Sequence, residues 1–182
     1  MTAIAPHISA FLRERLPIQR GASVHTCESY AHSFELLFTF ASRRYGVTPS
    51  ALELEQIDAR LVMDFLEHLQ SVRGNGDRTR NARLAAIKSF MHFVEYRVPS
   101  LLEQIREILA IPSKKTDQAL LAHLSIPEIQ SLLEAPDVTT RFGIRDRAML
   151  HLCFAAGLRV SELIGLPLSA VTLQPTPTVH IQ

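Results

Sequence analysis

Apolar positions along most of the chain return every three or four residues, the period of a helix with one buried face. Between about residues 23 and 45, Cys27, Tyr30, Phe34, Leu37 and Ala41 share such a face, and Gly46 predicts its end. From about Asp58, a second stripe of Leu61, Val62, Phe65, Leu66 and Leu69 runs out near Gly74 and Gly76. A third stripe, Leu84, Ile87, Met91 and Val94, starts near Arg78 and is stopped by Pro99. A shorter fourth helix carries Leu101, Leu102, Ile105 and Ile108. With the N-terminal segment around Ile8, Phe11 and Leu12, residues 1–110 read as a bundle of four or five helices, because each stripe needs a partner to cover it.

The pattern then breaks. IPSKKTDQ, from Ile111, lacks periodicity and carries a proline and paired lysines, which predicts a basic linker over residues 111–120. A second part, residues 121–182, opens with a strong helix start: Ser125 and Glu128 have capping-box spacing, and Leu124 and Ile129 are placed for the hydrophobic staple. Another helix is predicted from about Gly143 to Ala156, with Gly157 as its left-handed cap, and a short one from Val160 to Leu166 before Pro167. Val171, Thr172 and Leu173, then Val179, His180 and Ile181, are β-like runs at the start of a sheet. The expectation is an incomplete sheet, with apolar helix faces uncovered around Leu150, Leu152 and Leu163.

Composition narrows the chemistry only a little. The 182 residues carry a net charge of +1 with 20% charged side chains, so any nucleic-acid footprint must be a local cluster. Cys27 and Cys153 sit apart among apolar neighbours as buried free thiols do, which argues against a disulfide framework or zinc site and for a reducing, cytoplasmic setting. Arg13, Glu14 and Arg15 interrupt the stretch where a signal peptide needs its apolar run, and no later stretch is suited to spanning a bilayer. The histidines, His25 and His32 included, lack metal-ligand company. No phosphate-binding glycine loop, HExxH or nucleophile elbow occurs.

Local charge does cluster around the third helix. Arg73, Arg78, Arg80, Arg83 and Lys88 face one acid, Asp77. At about 100° per residue, Arg78, Asn81 and Lys88 turn away from the apolar stripe, Arg83 flanks it and Arg80 falls closer to it. The same pattern suits either a solvated helix face or contacts to phosphates and base edges.

Residues 145–166, RDRAMLHLCFAAGLRVSELIGL, resemble the segment of the tyrosine recombinase (phage integrase) family that supplies its first catalytic arginine. Arg145, Asp146, Ala148, Gly157, Leu158, Arg159, Ser161, Glu162, Leu163 and Leu166 fall in register, while Ala156 stands where the family commonly has threonine. LLAHLSIPEIQSLLEA, from Leu120, resembles the opening of the family's catalytic domain. Thr26 with Tyr30, and Arg78, Thr79, Arg80 and Asn81 leading a helix into Phe90, resemble its helical core-binding domain.

The resemblance implies a mainly α protein: a SAM-like helical-bundle core-binding domain, then the start of a mixed α/β catalytic domain. It implies site-specific recombination or integration of double-stranded DNA through a phosphotyrosyl link, without metal or nucleotide cofactor, and with self-association on DNA as a tetrameric synapse. A bacterial, nucleoid-associated setting follows, with no membrane partner. Arg159 would bind the scissile phosphate, and Glu162 would organise it. Arg78, Thr79, Asn81, Arg83 and Lys88 would contact DNA, with Arg43, Arg44, Lys114 and Lys115 weaker candidates for phosphate.

Local chemistry agrees at Arg159, which stands at the mouth of a helix where the dipole and free N–H groups favour an anion, and whose guanidinium can grip two phosphate oxygens. The alternative is an ordinary i,i+3 ion pair with Glu162. The family's lysine, His-x-x-Arg pair and late tyrosine have no counterpart here: no histidine is followed three residues later by arginine, and Tyr30, Tyr45 and Tyr96 all precede the linker. The expectation is therefore a truncated chain that binds DNA without cutting it. Two other functions remain open, a non-catalytic DNA-binding regulator and a helical interaction protein.

Overall fold

In the computed structural model, which describes residues 1–116, 123–172 and 178–180, the longest helix begins where Ser23 caps it. The Ser23 hydroxyl accepts the Thr26 N–H at 3.2 Å, satisfying one of the donors a helix start leaves open. This helix, α2 (Val24–Tyr45), ends at Gly46, whose φ of 69° is the left-handed cap that glycine adopts without strain. Before it lies α1 (Ile4–Ala10), which continues in wider π geometry over Phe11–Gln19. After it come α3 (Ala59–Ser71), α4 (Asp77–Glu95) and α5 (Leu102–Ala110). Asp58 caps α3 by accepting the Leu61 N–H at 2.7 Å.

These helices belong to the first of two compact units, Met1–Gln118 and Ala119–Gln182. α4 is its axis and packs against α2, α3 and α5. The predicted stripes supply the core: Phe34, Leu37, Leu61, Phe65, Leu84, Ile87, Val94 and Ile105 are all buried, and Phe90 joins them. Phe11, Phe34 and Phe90 meet edge to face with centroids 5.4–6.0 Å apart, the arrangement that ring quadrupoles favour. Cys27 and Tyr30 are half-buried at its margin rather than fully inside, and both cysteines are free. The N-terminus is tied to the α2–α3 connection, with Ile4 N–H on the Leu52 carbonyl at 3.1 Å and Leu54 N–H on the Thr2 carbonyl at 2.9 Å.

The second unit contains α6 (Ile126–Glu134), α7 (Arg141–Ala156), α8 (Val160–Ile164) and the antiparallel pair β1 (Val171–Thr172) and β2 (Thr178–Val179), in the register Val171 opposite Val179. The Glu128 carboxylate accepts both the N–H and the hydroxyl of Ser125 at 2.7 Å, which closes the predicted capping box. Thr140 caps α7 through the Gly143 N–H, and Gly157 ends it at φ 64°. Gly143 also meets a close backbone approach, since a Cβ there would lie 1.9 Å from the Asp137 carbonyl oxygen. Leu173 and Ile181, read as strand residues, lie outside the described residues.

The uncovered apolar surface differs from the expected one. Leu150, Leu152 and Leu163 are half-buried, whereas Phe142, Ile144, Phe154, Val160 and Ile164 are exposed. No described helix is long and apolar enough to cross a membrane, and no cluster of potential metal ligands occurs among the described residues.

Candidate functional site

The basic residues of α4 divide into one exposed side chain and several that hold the first unit together. Arg78, in the first turn, is exposed, and Thr79 beside it is half-buried. Arg80 is buried, and its guanidinium donates to the Pro112 carbonyl at 3.0 Å. Arg83 crosses to α2, where it donates to the Ser29 carbonyl and the Ser33 hydroxyl at 3.1 and 2.9 Å. Lys88 donates to the carbonyls of Leu109 and Ile111 at 2.7 and 2.6 Å. The Asn81 amide donates to the Lys114 carbonyl at 2.7 Å and accepts the Lys114 N–H at 3.0 Å. Helical geometry put Asn81 and Lys88 away from the apolar stripe. They do leave it, yet they meet the chain that returns alongside α4 after α5.

Lys114 extends its ammonium to Gln70 Oε1 at 2.7 Å, with Asp77 3.9 Å away, while Lys115 is exposed. Arg44 pairs with Asp64. One grouping was not legible in the sequence: Arg43, Arg44 and Arg73 line a cavity of about 420 Å³ between α2 and α3, beside Phe40, Phe65 and His68. Arg43 and Arg44 are adjacent at the end of α2, whereas Arg73 follows α3, so no spacing rule connects the pair with the third. Gln70, which bridges Asp77 and Lys114, was missed for the same reason.

In the second unit, the chain turns at Gly157, buries Leu158 and presents Arg159 as the residue before α8. The Arg159 side chain is 82% exposed. Glu162 binds it twice, accepting the backbone N–H at 2.7 Å and the guanidinium at 2.9 Å. The i,i+3 ion pair therefore forms, and it is compatible with a second partner because most of the guanidinium faces solvent. The Arg159 backbone N–H, and then its side chain, hold the Glu162 carboxyl below its ordinary range. Glu162 also lines a cavity of about 480 Å³ with Ser161, Leu166, Ala170 and His180. Arg145 is paired with its neighbour Asp146 at 2.7 Å.

The profile of the phage integrase N-terminal SAM-like domain matches residues 8–97, most of the first unit. The protein named integrase/recombinase y4rC of Sinorhizobium fredii is 43% identical over 164 residues, which is 90% of this chain and 49% of that protein. A second from that organism, integrase/recombinase y4rD, is 38% identical over 94% of this chain and 61% of its own length. Tyrosine recombinase XerC of Pelobacter propionicus is 32% identical over 95% of this chain and 54% of its own length. The chain thus spans about half the length of the curated relatives it matches. The similarity runs through both units and includes the segment that carries Arg159. The chain belongs to the tyrosine recombinase family.

Proposed function

We propose that this chain serves site-specific DNA recombination or integration, holding double-stranded DNA with its helical unit and a scissile phosphate with Arg159. The observation that carries the proposal is the placement of Arg159: an exposed guanidinium at a helix entrance, steadied from one side by Glu162. A planar cation fixed in this way can meet two phosphate oxygens with parallel N–H donors, which a lysine cannot reproduce. Glu162 orients it and does not exchange protons with a substrate.

On the helical unit, the residues best placed for phosphate are Arg78 and Lys115, both exposed, with Lys114 at their side. Thr79 and Arg44 are weaker candidates, the first because it is half-buried and the second because Asp64 already holds it. Arg83, Lys88 and Asn81 spend their donors within the unit. Assembly of several copies on the DNA belongs to the same proposal.

The test is duplex binding as a function of salt. Replacing Arg78 and Lys115 by Ala should weaken binding to any duplex and lower the salt slope by about 1 for each phosphate no longer neutralised. An unchanged slope in a folded double variant would return these residues to the solvated surface. Chemistry is read separately, on a nicked suicide substrate. No tyrosine follows Tyr96 in this chain, so the chain alone should bind duplex without a denaturation-resistant adduct, since cleavage needs a nucleophile as well as the cation. An adduct formed by this chain alone would require a nucleophile other than the family's late tyrosine. Arg159→Ala should weaken binding to a duplex carrying the cognate site, and Arg159→Lys should restore little of it.

A further inference from the structure

Residues 109–114 form no helix beyond Ala110 and no strand, yet they are bonded almost residue by residue to one flank of α4. At the upper end, Lys88 takes the carbonyls of Leu109 and Ile111. They lie at the end of α5, where carbonyls lack helical partners and the dipole attracts a cation. In the middle, Ile111 is 5% exposed in the core, and Arg80 takes the Pro112 carbonyl. At the lower end, Asn81 answers both the N–H and the C=O of Lys114, as a neighbouring strand would. An amide side chain alone offers a donor and an acceptor side by side. Gln70 then holds the Lys114 ammonium while its own amide rests on Asp77.

A loop needs no such fastening merely to close a helical bundle. The bonds converge on the stretch by which the chain leaves α5, and their lower end lies two residues along α4 from Thr79 and three from Arg78.

We propose that Asn81 and Lys88 are positioning residues: they fasten residues 109–114 to α4 and so fix where the chain departs from the helical unit, beside Arg78 and Lys115. The consequence for DNA rests on the proposed function, since a departure point fixed near the phosphate-facing residues limits the volume through which the following unit can search. Limiting that volume raises its effective concentration at a site the helical unit already holds.

The test uses the whole chain without DNA, so that failure of the fastening is distinguishable from failure of the DNA assignment. In Asn81→Leu, the Lys114 amide should exchange about tenfold faster, the scale of one broken hydrogen bond, and trypsin should cut sooner after Lys114 and Lys115. Amides of α4 between Leu84 and Val94 should keep their protection. Asn81→Asp retains the acceptor for the Lys114 N–H, loses the donor and should fall between the two. Lys88→Met should speed cleavage, and Lys88→Arg should restore resistance, because a guanidinium can still reach both carbonyls. If Asn81→Leu does not fold, Asn81→Asp and the Lys88 pair give the same readouts.

Unchanged Lys114 exchange and cleavage in folded Asn81 variants would overturn the proposal. So would a Lys88→Met chain whose duplex binding loses about 1 from its salt slope, because the ammonium would then be spent on a phosphate. The expected slope is that of the unaltered chain.

Discussion

The two units are held together by opposite means. In the helical unit, burial joins distant segments: Phe11, Phe34 and Phe90 meet from three helical segments, and Gln104 donates to the carbonyls of Leu54 and Ile57. In the second unit, Leu158 is the one buried large apolar side chain among the described residues. Its side-chain hydrogen bonds, among the described residues, all span four positions or fewer. The contrast teaches that the Arg159 segment keeps its shape through caps and turns written into adjacent residues. The platform proposed for DNA keeps its shape through a core.

The comparison breaks most sharply at the core. Phe90→Ala should destabilise the helical unit by about 3–5 kcal/mol, the transfer and cavity cost of a buried ring, as read by urea titration, while the local order of α7 and α8 persists. Simultaneous loss of protection in both units would mean that the second depends on the first. A smaller effect is expected at Gly143→Ala, where the new methyl meets the Asp137 backbone. Displacing the turn before α7 should cost about 1–3 kcal/mol of local stability, and exchange should rise in α7 with none in α4.

Next comes Ser125→Ala, which removes half of a capping box and should cost α6 about 1 kcal/mol, measured as faster exchange of its first-turn amides. The least effect is on pH. Glu128 and Glu162 are both held below the ordinary 4.5 by hydrogen bonds from their cap residues. A carboxyl lowered in the folded state contributes stability that is complete above about pH 4.5 and lost as pH falls through the folded value. Amide protection in α6 and α8 should therefore decline below that pH, before any change in α4. Protection in α6 and α8 that outlasts that of α4 as the pH is lowered would show that the caps contribute little.

What could be read from the sequence follows the same division. The capping box at Ser125, the glycine at 157 and the arginine at 159 are local, and each appears at its predicted place. The stripes of α2, α3 and α4 were equally legible, because a helical period is also a local property. Helix ends were less so: α3 stops at Ser71, before the glycines read as its end. The π turn over Phe11–Gln19 follows neither of the two familiar periods, and the anchoring of Thr2 to Glu55 joins positions that no pattern relates. Asn81 and Lys88 were correctly placed on a face, but what covers that face arrives from residues 109–114. Periodicity gives a side chain its direction and is silent about a segment that comes back from elsewhere in the chain.

The placement of Tyr30 against Phe11, with ring centroids 6.3 Å apart, has an optical consequence. The chain has three tyrosines and no tryptophan, and Tyr30, Tyr45 and Tyr96 all lie in the helical unit. Tyrosine emission from this chain is therefore a signal of one unit alone. Tyr96, 87% exposed, and Tyr45, at 39% with its hydroxyl on the Gln56 carbonyl, supply the background. Tyr30 alone leans on the phenylalanine cluster, so a change in its emission marks that cluster opening, while rearrangements around Arg159 pass unseen unless a fluorophore is placed there.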